Sequence, residues 1–248
     1  MTNFVILGAL ASLIAGLATG AGALPVLFVK KVSDRFLDVM LGFSAGVMLA
    51  ATSFSLIIPA LEMGGIVVSV LGLSLGAVTI HFIDRSIPHL HLISGLEGPP
   101  SKISRVWLFM MAMTIHNFPE GMAVGVSFGT GDVSTGMIVA IAIGLQNMPE
   151  GLAAALPLLR EKYSRGRALW YASLTGLVEP IGGLLGVSLV SLSSSFLPWG
   201  LTFAAGAMLF IVSDEMIPES HRKEFAREAT LGLILGFIVM MFLDTMFK

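Results

Sequence analysis

Long apolar runs dominate the chain, and short polar connections separate them. A helix needs about 20 apolar residues to cross a bilayer, and eight runs approach or exceed that length. They cover residues 4–29, 36–61, 64–83, 106–129, 133–159, 168–193, 196–217 and 229–247. Polar and apolar residues do not alternate as they do in the strands of a membrane barrel. The pattern therefore predicts an all-α polytopic membrane protein with eight transmembrane helices.

The composition agrees with a chain that faces lipid. Hydrophobic residues make up 55% of it and charged residues 12%, whereas soluble proteins carry roughly 25% charged residues. A soluble enzyme or a disordered chain is excluded, and a net charge of -2 provides no basic field for nucleic acid. Because the chain has no cysteine, a thiolate metal site is excluded as well. We expect a single transmembrane domain over residues 1–248, with the bilayer as its surroundings.

Basic residues are confined to alternate connections. Thirteen of the 14 follow the first, third, fifth and seventh runs, and the last is the C-terminal Lys248. Because basic loops stay cytoplasmic, eight spans with both termini outside account for this distribution. No Lys or Arg precedes the first run, so we expect a retained helix and not a cleaved signal peptide.

Two motifs occur twice, each time on spans that run in opposite directions. Phe-Ser-Ala-Gly-Val-Met-Leu at 43–49 is similar to Phe-Ala-Ala-Gly-Ala-Met-Leu at 203–209. His-Asn-Phe-Pro-Glu-Gly at 116–121 is similar to Gln-Asn-Met-Pro-Glu-Gly at 146–151. The first pair could be a chance similarity between apolar helices, whereas the second is too specific for that. The pattern indicates an inverted repeat of 3+2+3 helices, which is typical of transporters with a midplane site.

Three glutamates, Glu120, Glu150 and Glu179, lie near the middle of predicted spans. A charged side chain there costs roughly 3 kcal/mol, so it needs a partner or a function. No span contains a Lys or Arg that could neutralise these carboxylates. They are therefore either protonated or bound to cations, and the neighbouring histidine and asparagines favour cations.

Helical geometry arranges the first of these motifs around its glutamate. At about 100° per residue, Glu120 points between His116 and Asn117, one turn further along. The second copy repeats this layout at Gln146, Asn147 and Glu150. If the two helices face each other, the carboxylate of each glutamate can bridge two neighbouring cation positions. The motif pair therefore suits two adjacent cations.

Two further spans could contribute to this site. Glu179-Pro180 provides a third carboxylate, together with a carbonyl that the proline leaves free. Met48, Ser55 and Glu62 recur every seven residues and would share one helix face, although a methionine is more often a core residue. Imidazole, carboxylate, amide and thioether ligands suit Zn²⁺, and also Cd²⁺, Fe²⁺ or Mn²⁺, better than Mg²⁺.

Other ionisable residues lie at the two ends of the spans and could form a transport pathway. Glu62 and Asp244 are on the outer side, where the pathway would continue past the polar Ser55, and Asp84, His89, His91 and Glu215 are on the cytoplasmic side. The two histidines could equally be solvated loop residues or a transit site for a departing metal.

The paired Asn-x-Pro-Glu-Gly motifs resemble the signature of ZIP (Zrt-, Irt-like) divalent metal transporters. The second copy begins with Gln146, and in this feature it resembles the bacterial GufA-type branch of the family. The resemblance implies a binuclear site, with one metal bound by Met48, His116, Glu120, Gln146 and Glu150. It implies that the second metal binds Asn117, Glu120, Asn147, Glu150 and Glu179. It also implies a homodimer and elevator-like alternating access.

These observations predict a transporter that imports Zn²⁺, and also Cd²⁺, across the inner membrane of a bacterium. The metal is then the transported substrate, and no cofactor is expected. One alternative is an intramembrane zinc-dependent hydrolase, although the chain has no His-Glu-x-x-His motif. Another is a metal-sensing membrane scaffold, which would bind metal without flux.

Overall fold

The structure, a computed structural model, describes residues 2–29, 32–91, 95–102, 104–221 and 224–246. Ten α-helices account for most of these residues: α1 Thr2–Ala23, α2 Asp34–Ala50, α3 Ile58–Ser86, α4 Arg105–Phe128, α5 Val133–Arg160, α6 Arg165–Gly176, α7 Glu179–Leu192, α8 Leu197–Ile211, α9 Ile217–Ser220 and α10 Ala226–Met246. Short 3₁₀ helices at Leu24–Leu27 and Ser194–Phe196 follow α1 and precede α8.

The helices confirm an all-helical polytopic membrane protein. Six stretches of the described chain are long and apolar enough to cross a bilayer: Asn3–Leu27, Asp34–Ser86, Val133–Arg160, Arg165–Leu192, Ser194–Ser220 and Ala226–Met246. The second has 53 residues, and Gly65 within it has non-helical angles of φ 70° and ψ 178°. α4 is not among the six, although it has 24 residues, because the polar residues of its motif lower its mean hydropathy.

A small β-hairpin departs from the all-α expectation. Strands β1 (His89–His91) and β2 (Gly95–Glu97) pair antiparallel in the connection between α3 and α4, with His89 opposite Glu97. The sequence pattern does not predict these strands because each has only three residues.

Both copies of the 43–49 and 203–209 motif are followed by a π-helical segment. The first, Ala51–Ile57, ends two residues before Pro59, and the second, Val212–Met216, ends two residues before Pro218. Proline cannot donate to the preceding turn and clashes with its carbonyl, and a π-helical turn is the usual local adjustment at functional sites. The repeated sequence therefore has a repeated distortion.

The helices pack in two groups. α1, α4, α5, α6 and α7 contact one another, whereas α2 packs against α10 and α3 packs against α8. Contacts of α2 with α5 and of α4 with α8 join the two groups. The paired motifs lie in the first group, and the π-helical segments flank helices of the second.

The close helix contacts of the second group occur in equivalent pairs. A Cβ atom added to Gly46 would lie 1.9 Å from the carbonyl oxygen of Leu233, and one added to Gly206 would lie 1.9 Å from that of Leu73. In both pairs the equivalent residues are 160 positions apart. The contacts align Leu-Gly-Leu-Ser-Leu-Gly at 71–76 with Leu-Gly-Leu-Ile-Leu-Gly at 231–236. This third repeat was missing from the sequence analysis.

Candidate metal centre

The polar residues of the two related motifs are buried where α4 packs against α5. Asn117, Glu120, Gln146 and Asn147 are fully buried, and His116 and Glu150 are nearly so. The structure thus brings together all six motif residues that the sequence analysis selected. A position buried at this helix contact excludes bulk water from the carboxylates.

Several of these buried polar atoms form no hydrogen bond with any described residue. They are both amide atoms of Asn117 and the amide oxygen of Asn147. Burying such groups without a partner costs free energy. Carboxylate and amide oxygens are ligands for divalent cations, so the cluster has the composition of a metal site.

Charge also concentrates in this cluster. Glu120 lies close enough to Glu150 and Glu179 for electrostatic repulsion among the three carboxylates. The imidazole of His116 interacts with Glu150. A cation between the carboxylates would replace this repulsion with attraction.

Glu179 joins the cluster from the break between α6 and α7. The amide nitrogen of Asn147 donates to its Oε1 at 2.6 Å, and to the carbonyl oxygen of Ala15 at 2.8 Å. A Cβ atom added to Gly121 would lie 2.0 Å from the carbonyl oxygen of Glu179. The glycine of the first motif therefore permits the close approach that places Glu179 next to α4.

Helix α2 contributes Ser44, which the sequence analysis missed. Its hydroxyl lies 2.8 Å from Oε1 of Glu150 and 2.9 Å from the carbonyl oxygen of Gln146. Met48, one turn further along α2, is fully buried in an apolar cluster that includes Ala123 and Met208. A serine among small apolar residues is common in membrane helices, so nothing in the sequence indicates that Ser44 contacts the cluster.

Glu215 contacts the cluster directly. It lies in the π-helical segment Val212–Met216, and its Oε2 is 2.5 Å from Nε2 of His116. Both side chains are buried. The sequence analysis placed Glu215 further along the pathway to the cytoplasm, but the structure places it beside His116, the first residue of the motif.

Two of the three residues predicted for the outer end of the pathway are in contact. The hydroxyl of Ser55 donates to Oδ1 of Asp244 at 2.5 Å, and both residues are buried. Glu62 is exposed. The π-helical segment lies between Met48 and Glu62, so the α-helical period that predicted one shared face does not hold through it.

Asp84 and His89, which the sequence analysis assigned to the cytoplasmic end, belong to a second polar cluster. Nε2 of His89 lies 3.2 Å from Oδ1 of Asp84 and 4.0 Å from Oε2 of Glu97. Possible ligand atoms of these three residues all lie within 4.8 Å of one another. Glu97 was missed because only the hairpin brings it opposite His89. The side chain of His91 lies outside the described part of the structure.

The sequence is similar to those of known proteins. Residues 94–244 match the family described as "ZIP Zinc transporter". The chain is 47% identical over 247 residues to Zinc transporter GufA of Myxococcus xanthus, covering 96% of this chain and 97% of the relative. The chain belongs to the ZIP family. The predicted resemblance, including its GufA-type branch, is confirmed.

Other ZIP relatives cover similar shares of the chain. It is 45% identical to Zinc transporter ZIPB of Bordetella bronchiseptica, over 92% of this chain and 77% of the relative. It is 35% identical to Zinc transporter ZIP11 of Homo sapiens, over 91% of this chain and 93% of the relative. This ZIP protein is a transporter and not an enzyme, and it is a multi-pass protein of the inner membrane. The predicted alternative of an intramembrane hydrolase is not favoured.

Proposed function

We propose that this ZIP protein imports Zn²⁺ into the cytoplasm. The observation that carries the proposal is the cluster of three buried carboxylates with unpaired amide atoms between α4, α5 and α7. The relatives named above are each called zinc transporters. A buried site of this charge, inside a membrane protein of a transporter family, favours a transported cation over a structural one.

The chain crosses the membrane eight times in this proposal. A helix of 53 residues is about 80 Å long at 1.5 Å per residue, far more than the roughly 30 Å core of a bilayer. The break at Gly65 would divide it into two crossings, and α4 adds another. With eight crossings, the basic connections fall on one side, which favours both termini outside. Residues 1–248 then form one transmembrane domain.

The two metals are proposed to share Glu120 and Glu150. One metal would bind Met48, His116 and Gln146 in addition, and the other would bind Asn117, Asn147 and Glu179. The unpaired amide atoms of Asn117 and Asn147 support these assignments. Ser44 would hold the carboxylate of Glu150 between the two positions.

Mixed nitrogen, oxygen and thioether ligands suit Zn²⁺ and also Cd²⁺. We therefore extend the proposal to Cd²⁺ as a second substrate.

The proposed pathway connects this centre to both ends of the protein. Metal would enter past Glu62, Asp244 and Ser55, and the contact between Ser55 and Asp244 supports a shared outer station. It would leave past Glu215, which touches His116, to the cluster of Asp84, His89 and Glu97, with His91 nearby in the sequence. A histidine flanked by two carboxylates suits a departing Zn²⁺.

The homodimer and the elevator-like motion remain predictions of family resemblance. The division of the helices into two packing groups supports relative motion, because the central ligands, except Met48, lie in one group. In this arrangement α1, α4, α5, α6 and α7 would move the metal against the other helices.

The test is uptake of radiolabelled zinc and cadmium into proteoliposomes with a controlled pH gradient. Glu150→Ala should abolish uptake because it removes the carboxylate proposed to bridge both metals. Glu161→Ala is the matched control, since this exposed glutamate follows the same helix outside the site. Metal bound without flux would favour the scaffold alternative, and equal uptake by both variants would contradict the proposal.

A further inference from the structure

An apolar groove opens between α1, α2 and α5 and extends from mid-membrane to the basic end of the helices. Its volume is about 560 Å³, and its lining includes Gly22, Pro25, Phe36, Met40 and Met148. Phe36 and Met148 are about half exposed, so the groove is open towards the surrounding lipid. Its inner end reaches Met148 and Pro149, which lie between the proposed ligands Asn147 and Glu150 in the sequence.

A second groove of about 390 Å³ occupies the equivalent place in the other half of the repeat. Its lining includes Phe118, Met122, Phe196 and Gly200. Phe118 and Met122 correspond, 30 positions earlier, to Met148 and Leu152 of the first groove. Phe196 and Gly200 correspond, 160 positions later, to Phe36 and Met40 of the first groove. Phe36 and Phe196 are each 51% exposed. The second groove is therefore a natural control for the first.

Positive charge surrounds the mouth of the first groove. Nη1 of Arg165 donates to the carbonyl oxygen of Leu27 at 2.7 Å, and Leu27 lies between the lining residues Pro25 and Val29 in the sequence. Because this acceptor is a neutral carbonyl, the interaction does not cancel the charge of Arg165. Arg35, directly before Phe36, and Arg160, which contacts Asp34, add two guanidinium groups that are paired with carboxylates.

The N-terminal end of α2 lies at the same mouth. Ser33 lines the groove and caps the helix, accepting a hydrogen bond from the backbone nitrogen of Phe36 at 3.2 Å. The positive end of a helix dipole attracts phosphate groups. The equivalent groove has no such charge, because the outer connections of the proposed topology contain no Lys or Arg.

We propose that the first groove binds one acyl chain of an anionic phospholipid, whose phosphate lies at Arg165 and the Ser33 end of α2. Basic pockets between membrane helices on the cytoplasmic side favour anionic lipid headgroups. The groove runs from the headgroup level to mid-membrane, which is the depth that an acyl chain occupies. This site stands independently of the proposed transport of zinc.

The experiment uses the full chain in vesicles with photoreactive acyl chains. Phosphatidylglycerol and phosphatidylcholine carrying the same diazirine-labelled chain are compared, and peptide mass spectrometry maps the adducts. Adducts at Met40, Met148 or Leu152 should be about fivefold more abundant with phosphatidylglycerol, the factor expected for one basic residue at an anionic surface. Adducts at Phe118 or Met122 should be equally abundant with both lipids.

Two variants distinguish the effect of charge at the mouth of the groove from the effect of surface charge elsewhere on the protein. Arg165→Gln should remove the preference for phosphatidylglycerol at the first groove. Arg227→Gln removes an exposed arginine from another basic connection and should leave the preference unchanged. Equal labelling of the first groove by both lipids, or a preference that survives Arg165→Gln, would overturn the proposal.

Discussion

The carboxylate of Glu150 joins side chains from three helices. It accepts a hydrogen bond from Ser44 of α2 and interacts with His116 and Glu120 of α4. Ser44 belongs to the packing group that does not carry the paired motifs, so this hydrogen bond connects the two groups at the candidate metal centre. A single hydroxyl thus controls how the proposed bridging carboxylate is oriented.

Replacing Ser44 with alanine should lower apparent zinc affinity by about tenfold, the scale of a lost hydrogen bond to a charged group. The carboxylate of Glu150 would lose the donor that fixes its rotamer. Ser53→Ala is the matched control, because within the described residues the Ser53 hydroxyl donates to the carbonyl oxygen of Leu49, one turn earlier in the same helical stretch. Zinc-dependent uptake curves of the two variants decide the matter, and equal curves would contradict a positioning role for Ser44.

The proposed bridges predict how metal stoichiometry responds to single substitutions. Glu120→Ala and Glu150→Ala each remove a charged ligand from both metals, so occupancy of both positions should fall and uptake should stop. Asn117→Ala removes one neutral ligand, so one tightly bound metal per chain should remain. Metal content can be measured by native mass spectrometry or anomalous diffraction. Two full positions in Glu150→Ala, or none in Asn117→Ala, would rule out the bridged arrangement.

At this scale the sequence predicts the residues whose chemistry is unusual in a membrane. His116, Asn117 and Glu120 stand out because polar groups are costly there. Ser44 and Glu97 do not stand out, since a small hydroxyl is common in membrane helices and a loop glutamate is usually solvated. Their roles depend on neighbours that only the packed structure provides.

Glycines set the distance between the helices of the second packing group. A side chain at Gly46 of α2 would collide with the backbone of α10, and one at Gly206 of α8 would collide with the backbone of α3. In membranes, small residues allow such close helix contacts. The two contacts fix the spacing of the helices against which the helices with the paired motifs pack.

Gly46→Ala should therefore destabilise the protein by about 1–3 kcal/mol, as overpacking in a tight core does. Gly166→Ala is the control, because an added Cβ there meets no atom within 4 Å. Alanine also favours a helix over glycine, so this second variant should be neutral or slightly more stable. Thermal unfolding in detergent measures both, and equal melting temperatures would contradict the role of the contact.

The positions of the helices were predictable from the apolar runs, but their internal distortions were not. The run at 36–61 contains Ala51–Ile57, whose π-helical turns do not follow the period of 3.6 residues. The run at 168–193 is interrupted at Leu177 and Val178, where Pro180 cannot donate to the carbonyl of Gly176. The break at Leu177 and Val178 precedes Glu179, and a second π-helical segment, Val212–Met216, contains Glu215, so distorted segments supply two carboxylates of the cluster.

The described helices divide into a group that carries the central carboxylates and a group that packs against it. Its orientation rests on the distribution of basic residues, which a labelling experiment can test in this cysteine-free chain. Ser195→Cys should react with an impermeant thiol reagent in intact cells, and Glu161→Cys only after permeabilisation. Both positions are exposed, so access to the reagent decides the result. The reverse pattern would overturn the proposed topology.

At this largest scale, charge and repetition in the sequence were more informative than hydropathy alone. The stretch Asp34–Ser86 counts as one span by length and hydropathy, but it contains a break at Gly65. The distribution of basic residues predicts two spans in this stretch. The similarity between 71–76 and 231–236 is hard to recognise because apolar helices share a small set of residues. It becomes visible once Gly46 and Gly206 are found in equivalent contacts.

The equivalence of residues 160 positions apart makes each half of the chain a guide to substitutions that the other half tolerates. Ala204 occupies the position equivalent to Ser44, and Thr19 the position equivalent to Glu179. Gly151 approaches the backbone of Thr19 as closely as Gly121 approaches that of Glu179. Ser44→Ala introduces the residue that the other half already carries at the equivalent position, so its melting temperature, measured beside its zinc uptake, separates a lost hydrogen bond from misfolding.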